Sequence, residues 1–143
     1  MISYGWTILC TKSIIDPQSN NMSLIDIVEQ LNIKPANDPP QLPALLPVQL
    51  DLVTMWYRSD LAEQATGAGR MSLVRGAGAE SVIPPTEFAI NLSAHERLRT
   101  VSRIAAIPIH GSGICYFRIE LRSSDGNWHE VGRLPLNIVI QTG

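Results

Sequence analysis

The chain has 143 residues, of which 17% are charged, and a formal net charge of −2. A chain of this length usually forms one domain, and we expect residues 1–143 to be a single domain. The near-neutral charge argues against bulk nucleic-acid binding and an acidic disordered chain, and no stretch reaches the roughly 20 apolar residues of a membrane helix.

The first predicted strand covers residues 6–15, where apolar and polar residues alternate at the start of the run. A turn follows at residues 16–21, whose sequence Asp-Pro-Gln-Ser-Asn-Asn is typical of turns. The stretch from Met22 to Ile33 fits a helical face with a capping box of Ser23 and Asp26, but its isoleucines also share a strand parity. We favour a strand, because the turn returns the chain beside the first strand.

Five prolines fall within residues 34–47 and predict an extended connecting loop. Pro40 and Pro43 match the spacing of a proline-rich ligand for another domain. We favour the simpler interpretation, a connection between two sheets, because single matches to this spacing are common.

Further alternation predicts strands at residues 48–58, 70–75, 86–92 and 97–109. Residues 59–69 and the Pro84-Pro85 pair are expected in loops. The phase is unclear in residues 97–109, because Ile104 and Ile107 suggest opposite faces, and a β-bulge would reconcile them.

The most regular pattern is a predicted hairpin, with arms at residues 115–122 and 128–140 joined through Asp125-Gly126. Pro135 and the terminal position of the second arm predict a sheet edge there. The count of about eight strands with little helix predicts an all-β, antiparallel β-sandwich.

Tyr116 shortly after Gly113 at a strand start is similar to a pattern of immunoglobulin-like sandwiches, with one residue more between them. A second resemblance covers the first third of the chain and rests on Ile8-Leu9-Cys10, the turn at residues 16–21, residues 24–31, the proline-rich passage and Val48-Gln49-Leu50. These features resemble a family of small uncharacterised bacterial and phage proteins. The resemblance implies a β-sandwich with a strand at residues 22–33, and it carries no catalytic residues.

Cys10 and Cys115 share parity with apolar neighbours, so we expect two reduced, buried thiols; a disulfide is the alternative. The three histidines form no metal-binding motif, and we expect no metal and no cofactor. His110-Gly111-Ser112-Gly113 lacks the strand-to-helix turn of a hydrolase nucleophile, and a β-turn is the better account. The first residues lack a basic segment and do not resemble a signal peptide, so we expect a soluble, cytoplasmic protein.

Four arginines form the one predicted binding group, at Arg99, Arg103, Arg118 and Arg122. They would share a face if residues 97–109 paired with residues 115–122 through the turn at residues 110–113. Arginine forks suit phosphate or carboxylate recognition. A solvated face with cross-strand ion pairs is the competing interpretation, and the absence of interleaved aromatic residues in the sequence argues against nucleic acid as a partner.

These patterns favour a non-enzymatic β-sandwich that acts through protein contacts, as an accessory or structural component or a homo-oligomer. Trp6, Trp56, Tyr57 and Trp128 are candidate contact residues, and the terminal arm is a candidate edge for a dimer or larger assembly. The alternative is a binding module for a phosphate-bearing or acidic ligand on the arginine group. A small hydrolase is the third hypothesis.

Overall fold

The computed structural model describes residues 2–35, 40–60, 62, 65–76, 80–122 and 124–141. All the regular secondary structure in these residues is β-strand. The nine strands are β1 (Ile2–Ile15), β2 (Met22–Ile27), β3 (Gln30–Ile33), β4 (Ala44–Arg58), β5 (Thr66–Arg75), β6 (Glu80–Asn91), β7 (Arg97–Ile109), β8 (Gly113–Arg122) and β9 (Trp128–Ile140). No helix long and apolar enough to cross a membrane occurs in the described ranges.

The strands form two sheets around one apolar core, as in a β-sandwich. Sheet 1 has the order β2-β1-β4-β7, and sheet 2 has the order β3-β9-β8-β5-β6. Both sheets contribute to the core, in which Trp56, Phe117 and Leu136 are fully buried. The all-β prediction is confirmed. The expectation of purely antiparallel pairing is wrong, because β3 pairs with β9 in parallel.

The core consists of the side chains that each strand directs inward, at about every second residue. Trp56 lies at its centre, with the Tyr4 ring edge-on at 5.9 Å between centroids and its own Nε1 donating a hydrogen bond to Thr100 Oγ1 at 3.1 Å. Trp56 is therefore a core residue and not the surface contact that the sequence suggested. Burial of one large apolar side chain stabilises the fold by about 1.5–3 kcal/mol.

The segment from Met22 to Ile33 is extended, as favoured, but it forms two strands in different sheets. Val28 donates its backbone N–H to the carbonyl of Leu9 in sheet 1, and the carbonyl of Glu29 accepts from Asn137 in sheet 2. The chain thus crosses between the sheets at these two residues. As a consequence, β3 covers residues 137–140 of β9, and the prediction of a sheet edge is wrong for this part of the strand. In the described ranges, residues 128–136 of β9, which include Pro135, pair only with β8.

Proline positions account for two further differences. Pro84 and Pro85 lie within β6, where we expected a loop; β6 is an edge strand, and its register with β5 shifts at this level, so the missing N–H groups are tolerated. Similarly, β4 begins at Ala44, inside the predicted loop, and its register with β7 shifts beyond Pro47. The strand β5 likewise begins at Thr66, inside a predicted polar break.

The pairing of β7 is irregular, although the bulge expected within residues 97–109 is on the neighbouring strand. Ile104, Ile107 and Ile109 are all buried in the core, so the inward parity of β7 changes after Ile104. The register between β4 and β7 shifts at the same level, between Pro47 and Leu50. The extra residue of this irregularity lies on β4.

The far end of the β1–β2 hairpin, at residues 13–20, bends back over the outer face of β4 and β7 in the same sheet. Ser13 donates hydrogen bonds from its backbone N–H and its hydroxyl to Asp51 Oδ2 on β4, at 3.2 and 2.9 Å. Further out, Arg99 on β7 donates to the carbonyl of Asn20 at 2.8 Å. This hairpin therefore projects one of its faces toward sheet 1 and the other toward solvent.

Candidate functional site

The structure divides the predicted arginine group between the two sheets. Arg99 and Arg103 lie on β7 in sheet 1, whereas Arg118 and Arg122 lie on β8 in sheet 2. The assumption that these two strands pair is wrong, because β7 pairs with β4 and β8 pairs with β5 and β9. The two halves therefore cannot form one surface.

The arginines of β8 gain other neighbours on the outer side of sheet 2. The register places Arg70 of β5 and Glu130 of β9 on either side of Glu120, and it places Arg133 of β9 opposite Arg118. Arg122 lies opposite Trp128. We call this surface the arginine–aromatic face; its members are Arg70, Tyr116, Arg118, Glu120, Arg122, Trp128, Glu130 and Arg133.

A bidentate ion pair anchors the centre of the arginine–aromatic face. Arg70 donates from Nε to Glu120 Oε1 at 2.9 Å and from Nη2 to Oε2 at 3.0 Å. The Glu120 side chain is only 10% exposed. Hydrogen bonding to Glu120 is the main cause that raises the pKa of the Arg70 guanidinium. A fork of this kind fixes both side chains and leaves the guanidinium permanently charged.

Two aromatic rings hold further guanidinium groups by cation–π contacts. The Trp128 ring centroid lies 4.4 Å from Arg70 Cζ and 5.3 Å from Arg122 Cζ. The Tyr116 ring centroid lies 5.1 Å from Arg133 Cζ, and Arg133 also pairs with Glu130 at 2.7 Å. Such contacts contribute about 0.5–2 kcal/mol each. They also mean that both rings already engage cations of this chain.

Arg118 and Arg122 keep hydrogen-bonding capacity that the described residues do not use. Arg118 Nε lies 3.5 Å from Glu120 Oε1, close enough for charge pairing, yet this buried nitrogen has no hydrogen-bond partner in the described ranges. The buried hydroxyl of Ser72, opposite Arg118 in the register, likewise has none. Arg122 is exposed and, within the described residues, makes no ion pair with a carboxylate.

A second surface, the isoleucine hairpin, lies on β1 and β2. Its exposed members are Ile14, Ile15, Ile25 and Ile27, whose exposed fractions range from 40% to 57%. Beside Ile27 lies a groove of about 400 Å³, lined by Ile8, Val28, Leu134 and Pro135 among others. By strand alternation Ile14, Ile25 and Ile27 share one face of the hairpin, with Lys12 opposite Ile25, whereas Ile15 lies on the other face. Exposed aliphatic side chains grouped in this way are of the kind that marks contact sites.

Within the described residues, the two cysteine thiols and the turn at residues 110–113 are not arranged as a reactive or metal-binding group. Cys10 and Cys115 are free and buried, as predicted; burial raises the pKa of both thiols. Cys115 belongs to the core, whereas Cys10 lies outside the core cluster with Sγ 3.6 Å from the Asp51 carbonyl. The Ser112 hydroxyl accepts a hydrogen bond from the backbone of Ile140. In the ranges the structure describes, no three His, Cys, Asp or Glu side chains are grouped to hold a metal ion.

Comparisons with known proteins leave these surfaces to be interpreted on their own geometry. No protein-family model matches the chain, and no curated protein matches it significantly. Sequence reasoning missed the aromatic interleaving of the arginine face, because Trp128 is distant from Arg70 in the chain and the two meet through pairing of three strands. The signal available was the alternation of residues 115–122, which places Tyr116, Arg118, Glu120 and Arg122 on one side.

Proposed function

We propose that this chain is a non-enzymatic, immunoglobulin-like β-sandwich that acts through protein–protein contacts and associates with a second copy of itself. The strand order supports the immunoglobulin-like part of the proposal. The neighbours β1-β4-β7 match strands A, B and E of that fold, and β9-β8-β5 match strands G, F and C, with β6 beside them as strand C′.

The exposed isoleucine hairpin is the observation on which the association rests. Its strand β2 is the edge of sheet 1, so the outer row of its backbone N–H and C=O groups has no strand neighbour among the described residues. Asp26 is the sole charged residue of β2, which carries no lysine and no proline to block pairing. An apolar edge can pair with itself about a two-fold axis, because the same patch then serves both copies.

Light scattering on a size-exclusion column tests this association. We expect a mass of twice the chain, or a larger multiple, at micromolar concentration. Ile27→Lys should shift the mass to that of a monomer, because it places a charge within the apolar contact, at the end of β2 beside the groove. Val101→Lys is the matched control: Val101 is also an exposed aliphatic residue, but it lies on β7, at the other edge of sheet 1. A monomeric mass for the natural chain, or equal dissociation by both variants, would overturn the proposal.

A further inference from the structure

We infer that the arginine–aromatic face is a docking surface for an extended acidic segment of a partner protein, with Arg118 and Arg122 as the residues that bind its carboxylates. This inference concerns sheet 2 and does not depend on self-association through the isoleucine hairpin of sheet 1. The first observation that supports it is the charge of the face. The face and the neighbouring Glu87, which lies opposite Arg70, together hold four arginines against three glutamates.

The positions of these charges determine which arginines are available. The carboxylate of Glu120 is occupied by Arg70, and Glu130 is occupied by Arg133. Arg118 approaches Glu120 only at 3.5 Å, and Arg122 is exposed with no carboxylate partner in the described ranges. The terminal nitrogens of these two arginines can therefore bind carboxylates from outside the chain.

The surrounding residues hold the two arginines in place before a ligand arrives. The Trp128 ring supports the Arg122 guanidinium, and the fixed carboxylate of Glu120 lies beside Arg118. Preorganised groups lose less conformational entropy when they bind. The face is thus better suited to recognition than a set of freely moving surface arginines.

The spacing of Arg118 and Arg122 indicates that the ligand is an extended peptide. Arg118 and Arg122 are four residues apart on one strand, a separation of about 13 Å at the rise of a β-strand. An extended peptide has the same rise, so acidic residues at positions i and i+4 would meet both arginines. Bases of a single-stranded nucleic acid would need free aromatic rings for stacking, and Trp128 and Tyr116 already engage guanidinium groups.

A direct test uses two labelled peptides in a threonine-rich, extended background. One peptide carries glutamates at positions i and i+4, and the other carries the same two glutamates at i and i+1. Fluorescence anisotropy should show tighter binding of the first peptide, weakening as salt is raised, because salt screens exposed charges. Arg122→Ala should lower its affinity about tenfold, the loss expected for a charge-assisted hydrogen bond.

Arg103→Ala is the control, since Arg103 is an exposed arginine of β7 on the other sheet. Its affinity should match that of the natural chain within about twofold. Equal losses from both variants, equal binding of both peptides, or no binding would overturn the inference. Stronger competition by inorganic phosphate or by a single-stranded oligonucleotide than by unlabelled peptide would also overturn it, in favour of a general anion site or a nucleic-acid site. None of these results changes the mass measured for self-association, so the two proposals fail separately.

Discussion

The ion pair between Arg70 and Glu120 should stabilise the fold more than an ordinary surface ion pair. Arg70 is 24% exposed and Glu120 10% exposed at the side chain, so the pair lies between a solvated and a buried environment. Breaking a solvated pair costs about 0–1 kcal/mol, whereas breaking a buried pair costs about 3–5 kcal/mol. For Glu120→Ala, which removes both hydrogen bonds at once, we expect a loss of about 2 kcal/mol in the free energy of unfolding.

Urea unfolding followed by circular dichroism measures this loss. With a slope of about 2 kcal/mol per molar urea, the midpoint should fall by about 1 M. Glu130→Ala is the matched control, because it removes the carboxylate that pairs with Arg133 where both side chains are more exposed, at 41% and 32%. The control should lose less than about 1 kcal/mol. Equal losses for the two variants would refute the argument that burial of Glu120 sets the difference.

Two further predictions concern packing and the thiols. Gly132→Ala should destabilise the fold by about 1–3 kcal/mol in urea unfolding, because the new Cβ would lie 2.6 Å from the Tyr4 hydroxyl. In a chain that already carries Tyr4→Ala, Gly132→Ala should lose most of this cost. Full additivity of the two changes would contradict the contact. Cys10 and Cys115 should react slowly with a disulfide reagent at pH 8, because the raised pKa of each buried thiol lowers its thiolate fraction. Denaturant without reductant should then release two thiols, and a count of zero would indicate a disulfide.

Local sequence patterns predicted where the strands lie better than they predicted which strands pair with one another. The alternation of residues 115–122 and the Asp125-Gly126 turn identified the hairpin of β8 and β9, because both signals are local. Most of the other strands were also located by alternation. Residues 66–69 were missed as strand because glycine and alanine carry little alternation, and residues 80–85 were missed because Pro84-Pro85 indicated a loop.

Pairing between distant strands was beyond these local signals. Consecutive strands are usually neighbours, and this tendency suggested that β7 pairs with β8; the turn at residues 110–113 instead connects the two sheets. The same limitation affected β9, whose parallel partner β3 lies more than 100 residues earlier in the chain. The arginine–aromatic face depends on such pairing, so its arginines were recognised in the sequence but their true neighbours were not.

Amide hydrogen exchange of β2 at several protein concentrations tests most directly whether this chain acts through contacts with itself. Within the part of one copy that the structure describes, the amides of Met22–Ile27 that point away from β1 have no strand neighbour, so they should exchange rapidly when the protein is dilute. We expect them to become protected as the concentration rises through the micromolar range, while the buried strand β8 keeps constant protection. Exchange of β2 that stays rapid and independent of concentration would contradict the proposed association.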